Sequence, residues 1–246
     1  MAKLAVRGIL VVIMLIGLLF KIHGMWESHI EDTGIEQVAK ANTLLKAGDP
    51  SSLQQAAEGY KKAIATFQGM HKPEEARNEG LAGYNLARAY SAQKLYPQAI
   101  DAALHALPLL TGKDAKGDMA DATANLGFYY IKTNQPDKAM EPYLRAELLY
   151  QELGKTDQLK RVIDVEGSLL YDQTVAAARK KDWPAARDTC IKAREKFHQA
   201  RNAADEADAC HELALIYTVL GDSAKSAEAE GEAKTLRGGL PPPPAK

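Results

Sequence analysis

The residues best placed to do chemistry are His211 and Glu212, which open the run His211-Glu212-Leu213-Ala214-Leu215. A zinc protease grips its metal with two histidines one helical turn apart and uses the glutamate beside the first as base. Leu215 stands where the second histidine would have to be, so such a metal lacks a ligand. The two cysteines, Cys190 and Cys210, lie on either side of a turn centred near Ala200 to Asn202, each about ten residues away on antiparallel helices. That places them at one height, where their Cα atoms can come within the roughly 4.4–6.8 Å of a disulfide. The alternative is two small buried thiols, a common state for cysteine. A zinc site built from Cys190, Cys210 and His211 has no evident fourth ligand. The stretch Gly112-Lys113-Asp114-Ala115-Lys116-Gly117 lacks the Gly-Lys-Ser/Thr ending of a phosphate cradle. There is no Gly-x-Ser-x-Gly nucleophile elbow, and the carboxylates scatter over what would be solvated helix faces. No enzyme, no metal and no cofactor is expected.

The elements that carry these residues are helices. Alanine is abundant, aromatic residues make up only 7% of the 246, and no stretch alternates apolar and polar residues. The net charge of −1, with 26% charged residues, leaves no basic excess to neutralise phosphates, so no nucleic-acid partner is expected. At the amino end, Gly8 to Phe20 is an unbroken apolar or glycine run flanked by Lys3, Arg7 and Lys21. Extended from Leu4 to Trp26 it reaches the roughly 20 residues of a membrane span, with Arg7 and Lys21 snorkelling to the headgroups. The competing reading is a cleaved signal peptide, although Ile22-His23-Gly24 is a poor cleavage site. Both readings export the remainder. The organisation expected is therefore an anchor over 1–26, a linker over 27–34, a helical array over 35–237 and a Gly/Pro-rich tail over 238–246. The location expected is the inner membrane, crossed once, with the array facing the periplasm.

Glycine and proline punctuation divides the array into five helix pairs. Within it a signature recurs. Leu126-Gly127-x-x-Tyr130 is followed by Ala139, Tyr143 and Ala146. Leu86-Ala87-x-x-Tyr90 is followed by Ala99, Ala103 and Ala106. Leu213-Ala214-x-x-Tyr217 is followed by Gly221, Ser226 and Ala233. Tyr90 and Tyr130 are 40 residues apart, and a fixed period of that size marks a repeat array. Pairs one and four keep only the second-helix spacing, as Ala56-Tyr60-Ala63 and Ala186-Cys190-Ala193.

These residues resemble the tetratricopeptide repeat family over about 35–237. The period exceeds the family's usual 34 or so residues and is similar to the long-repeat type seen in kinesin light chain. The resemblance implies an all-α fold, an α-solenoid of about five helix–turn–helix pairs that must stack to bury its apolar faces. It also implies that the first helices line a concave face. In that frame the partner-binding residues would be Tyr84, Arg88, Phe128, Ile131, Lys132, Tyr171, Val175, Arg179, His211 and Leu215, a mixture that suits an extended peptide or a helix. The lysine and asparagine set with which chaperone-binding members hold a terminal carboxylate is absent. The expected function is a membrane-anchored scaffold that binds partner proteins or peptides and supports assembly of a membrane or periplasmic complex. The alternatives are a structural accessory subunit of a larger membrane complex and a soluble periplasmic binding protein.

Overall fold

The computed structural model describes residues 2–70 and 75–239, with side chains described from residue 16 onward except 27, 30 and 31. Ten α-helices follow one another, and no strand occurs among the described residues: α1 (Ala2–Ala47), α2 (Pro50–Met70), α3 (Ala76–Ala92), α4 (Tyr96–Ala106), α5 (Lys116–Lys132), α6 (Pro136–Glu152), α7 (Thr156–Arg179), α8 (Trp183–Ala200), α9 (Ala203–Leu220) and α10 (Ser223–Gly238). They form two compact units, Met1–Ala122 and Thr123–Lys246. In the first, α1 packs on α2, α2 on α3 and α3 on α4. In the second, α6 to α10 pack each on the next.

One turn chemistry recurs within the pairs. Lys94, Asn134, Lys181 and Gly221 adopt the left-handed conformation after α3, α5, α7 and α9. The next amide reaches back five residues, Leu95 to the Tyr90 carbonyl, Gln135 to Tyr130, Asp182 to Ala177 and Asp222 to Tyr217, at 2.9 to 3.0 Å. This 6→1 bond, with its companion from the preceding amide, satisfies carbonyls that a helix end would otherwise leave bare. It also explains part of the signature: Tyr90, Tyr130 and Tyr217 mark the last turn before the chain reverses. The second helix of a pair then opens with a proline (Pro97, Pro136, Pro184) or an aspartate cap. In pair one the cap is Asp49, whose Oδ1 accepts from the Ser52 amide at 3.0 Å.

Alanine lets the helices close on one another. Ala56, Ala63, Ala82, Ala87, Ala99, Ala106, Ala139, Ala146, Ala186 and Ala193 are wholly buried. Larger side chains fill what remains. Tyr60 is buried, and its hydroxyl donates to Asn42 Oδ1 at 2.6 Å. In the second unit Cys190, Phe197, Leu213 and Ile216 form one cluster, with Tyr171 and Trp183 packed against it.

The amino end departs from expectation. Residues 27–34 are helical, since α1 runs unbroken through them. Among the described residues no helix is long and apolar enough to cross a membrane, which overturns the single-pass inner-membrane placement. The described side chains from Ile16 are apolar only as far as Phe20 before Lys21 and His23 interrupt them, and residues 8–15 of the apolar run lie outside the described side chains. Residues 240–246, with most of the proline tail, also lie outside the described residues.

Candidate functional site

Burial follows one pattern in successive first helices. Ala82, Gly83, Leu86, Ala87 and Ala89 are buried in α3, and Arg88 is exposed. Forty residues on, Ala122, Thr123, Leu126, Gly127 and Tyr129 are buried and Phe128 is exposed. In α7 the buried set is Val162, Ile163, Glu166, Gly167 and Leu169, around an exposed Ser168. In α9 it is Ala209, Cys210, Leu213, Ala214 and Ile216, around an exposed Leu215. One repeat position is thus held out of the core every time, and it carries Arg88, Phe128, Ser168 and Leu215.

The residues expected to bind a partner divide accordingly. Arg88 is exposed, with its guanidinium 5.7 Å from the Tyr84 ring and Nη1 donating to Asn85 at 3.0 Å. Phe128 is 38% exposed, and Lys132 Nζ lies 5.2 Å from its ring. Leu215 is 50% exposed, and Val219 one turn on is 55% exposed. Tyr84, Ile131, Tyr171 and Val175 are half-buried. Burial first, then the charge of Glu212, pushes the Tyr171 phenol up to about 12. Arg179 is exposed at the last residue of α7.

His211 is half-buried, and its Nδ1 pairs with Glu230 Oε2 at 2.8 Å on α10. That hydrogen bond holds the Glu230 carboxyl below its ordinary value. No group of three or more His, Cys, Asp or Glu able to hold a metal exists among the described residues. Gly112 to Gly117 forms a short 3-10 turn, Lys113–Ala115, leading into α5. Cys190 and Cys210 are free, buried thiols. Cys190 Sγ donates to the Ala209 carbonyl at 3.4 Å, so it lies against the backbone beside Cys210. Burial pushes the two thiols up to about 12 and about 11. A cleft of about 570 Å³ among α8, α9 and α10 is lined by charged groups that pair with each other, Arg194 with Glu232 and His198 with Glu206, both at 2.9 Å.

The sequence reading missed one cluster. Lys196 on α8 lies 2.8 Å from Glu147 on α6 and 2.6 Å from Glu166 on α7. Carrying the 40-residue period on from Leu126 lands on Glu166-Gly167, and that was the available signal.

No family model matches the chain, and no characterised protein matches it in sequence. Solved structures do resemble it. One is a signal transduction ATPase with numerous domains that carries a tetratricopeptide repeat sensor, from Pyrococcus horikoshii: TM-score 0.53 at 12% identity, over 85% of this chain and 31% of that one. Another is the MamA protein, with TM-score 0.52 at 16% identity, over 87% of this chain and all of that one (100%). YrrB, a TPR protein with an unusual peptide-binding site, gives 0.49 at 20% identity, over 86% and 92%. The likeness to the first two, with the repeated hairpins and their common burial pattern, defines a fold of the tetratricopeptide-repeat type.

Proposed function

We propose that the chain is a scaffold that holds segments of other proteins on the exposed face of its first helices and so supports assembly of a complex. The supporting observation is the repeat position at Arg88, Phe128 and Leu215. The fold turns that position out of the core, so packing does not call for a large side chain there. Yet two of its four occupants are large and apolar and one is an arginine. Aromatic and arginine side chains supply most of the binding energy at protein interfaces, about 2 kcal/mol or more at a hot spot.

The test compares the proteins that co-purify with the wild-type chain and with Phe128→Ala, Arg88→Ala and Leu215→Ser. Each exposed substitution leaves helicity unchanged and weakens partner capture, by about thirtyfold where it removes a hot spot. An unchanged set of partners in all three variants would refute the reading and move binding to another face.

A further inference from the structure

In the first helices of pairs two, three and five one core position is leucine: Leu86, Leu126 and Leu213, each 7% exposed or less. In α7 the same position is Glu166, with no exposed surface. The three leucines show that the fold itself needs no carboxylate there. What surrounds Glu166 fits the exchange. Lys196 Nζ from α8 stands 2.6 Å from Glu166 Oε2 and 2.8 Å from Glu147 Oε2 of α6. Glu147 and Lys196 are 20% and 21% exposed, so the cluster runs from the seam between the helices out to water. These are the titratable groups that face Glu166: Glu147 from α6 and Lys196 from α8.

With all three ionised, one ammonium faces two carboxylates, and the seam carries a net negative charge. The ammonium that faces Glu166 is shared with Glu147. A buried charge in that state is costly, and a proton relieves it. We propose that Glu147, Glu166 and Lys196 form a proton-operated latch on the seam of α6, α7 and α8, closed while Glu166 carries a proton and eased when it gives the proton up.

The electrostatics place the proton on Glu166. Burial pushes its carboxyl up to about 7, against the pull of Lys196 and helped by the charge of Glu147. Burial alone would lower Lys196, but its bonds to Glu147 and Glu166 outweigh that and keep it charged. The folded chain thus binds a proton that the unfolded chain, with an ordinary value of 4.5, has already released. The stabilisation is complete below that ordinary value and is lost as pH rises through about 7.

The test is native-state hydrogen exchange on the full chain from about pH 5.5 to about pH 8.5, read as protection factors of α6 and α7 amides. In the wild type, protection falls with rising pH by up to about tenfold per unit and levels off above the titration. Glu166→Gln and Glu166→Leu, the latter restoring the residue of the other repeats, remove the slope. A wild type without the slope, or a Glu166→Gln chain that keeps it, would overturn the proposal. Carboxyl carbon NMR of the wild type decides the matter even where a variant fails to fold. A Glu166 midpoint near 7 supports the latch, and one at the ordinary glutamate value refutes it.

Discussion

Gly127 and Tyr143 should trade places energetically, and a double-mutant cycle reads it. A Cβ built on Gly127 lies 2.7 Å from Tyr143 Cε2 and 2.8 Å from Cδ2. Carbon atoms rest at about 3.5–4.0 Å, so the ring would have to retreat by roughly 0.7–1.3 Å. Tyr143 is 5% exposed and has little room to do so. Overpacking of this kind costs about 1–3 kcal/mol. The gain in helix propensity from glycine to alanine offsets about 1 kcal/mol of it. Gly127→Ala alone should therefore be neutral to destabilising, by up to about 2 kcal/mol. Tyr143→Ala alone leaves a cavity, at about 3–5 kcal/mol. Tyr143→Ala removes the three atoms nearest the new methyl, and in that background Gly127→Ala should stabilise by about 1 kcal/mol. The double variant carries the pairing that the repeat before it already has, Ala87 opposite Ala103, both buried. Urea unfolding of the four proteins gives the coupling, expected at about 1–3 kcal/mol. Gly127→Ala effects equal to within about 0.5 kcal/mol in both backgrounds would refute the reasoning.

Two further outcomes follow from the structure. Tyr129 is 2% exposed and its neighbour Tyr130 is half-buried, so Tyr129→Ala should cost about 3–5 kcal/mol in a thermal or urea melt and Tyr130→Ala less than half of that; equal losses would contradict the burial. Asn202 caps α9, accepting from the Asp205 amide at 3.2 Å and donating to Asp164 and Asp205 at 2.7 Å. Asn202→Asp, ordinarily a harmless exchange of one cap for another, would set a third carboxylate against these two. It should lower the melting temperature at neutral pH; an unchanged melting temperature would count against it.

Much of the fold was legible because it is written in small residues and punctuation. The Leu-Gly/Ala-x-x-Tyr frames of α3, α5 and α9 lie where expected, as do the left-handed or proline-led turns between Gln93 and Pro97 and between Thr133 and Pro136. The boundaries that moved did so for local reasons. Asp49 caps α2 because it sits three residues before the amide it bonds. The polar stretch 27–34 stays helical within α1, because polarity alone does not break a helix that lacks proline. In α5 the signature residue Tyr130 marks the turn through its carbonyl, and the residue before it, Tyr129, fills the interior.

The site was less legible, and the reason is physical. A repeat signature records what packing demands, so it is silent about the positions that packing leaves alone. Counting along the family frame reaches Arg88, Phe128 and Leu215, whose residue types are free to differ, and the burial pattern adds Ser168 at the same position. The same logic hid α7. The Leu-Gly/Ala-x-x-Tyr frame does not register there, because Glu166 stands where the other first helices have a leucine. Judged by burial, α7 is as regular a repeat as its neighbours. A charged residue at a position that leucine fills three times elsewhere is a departure the fold did not require. Packing cannot explain it, and Lys196 and Glu147, contributed by two different helices, can.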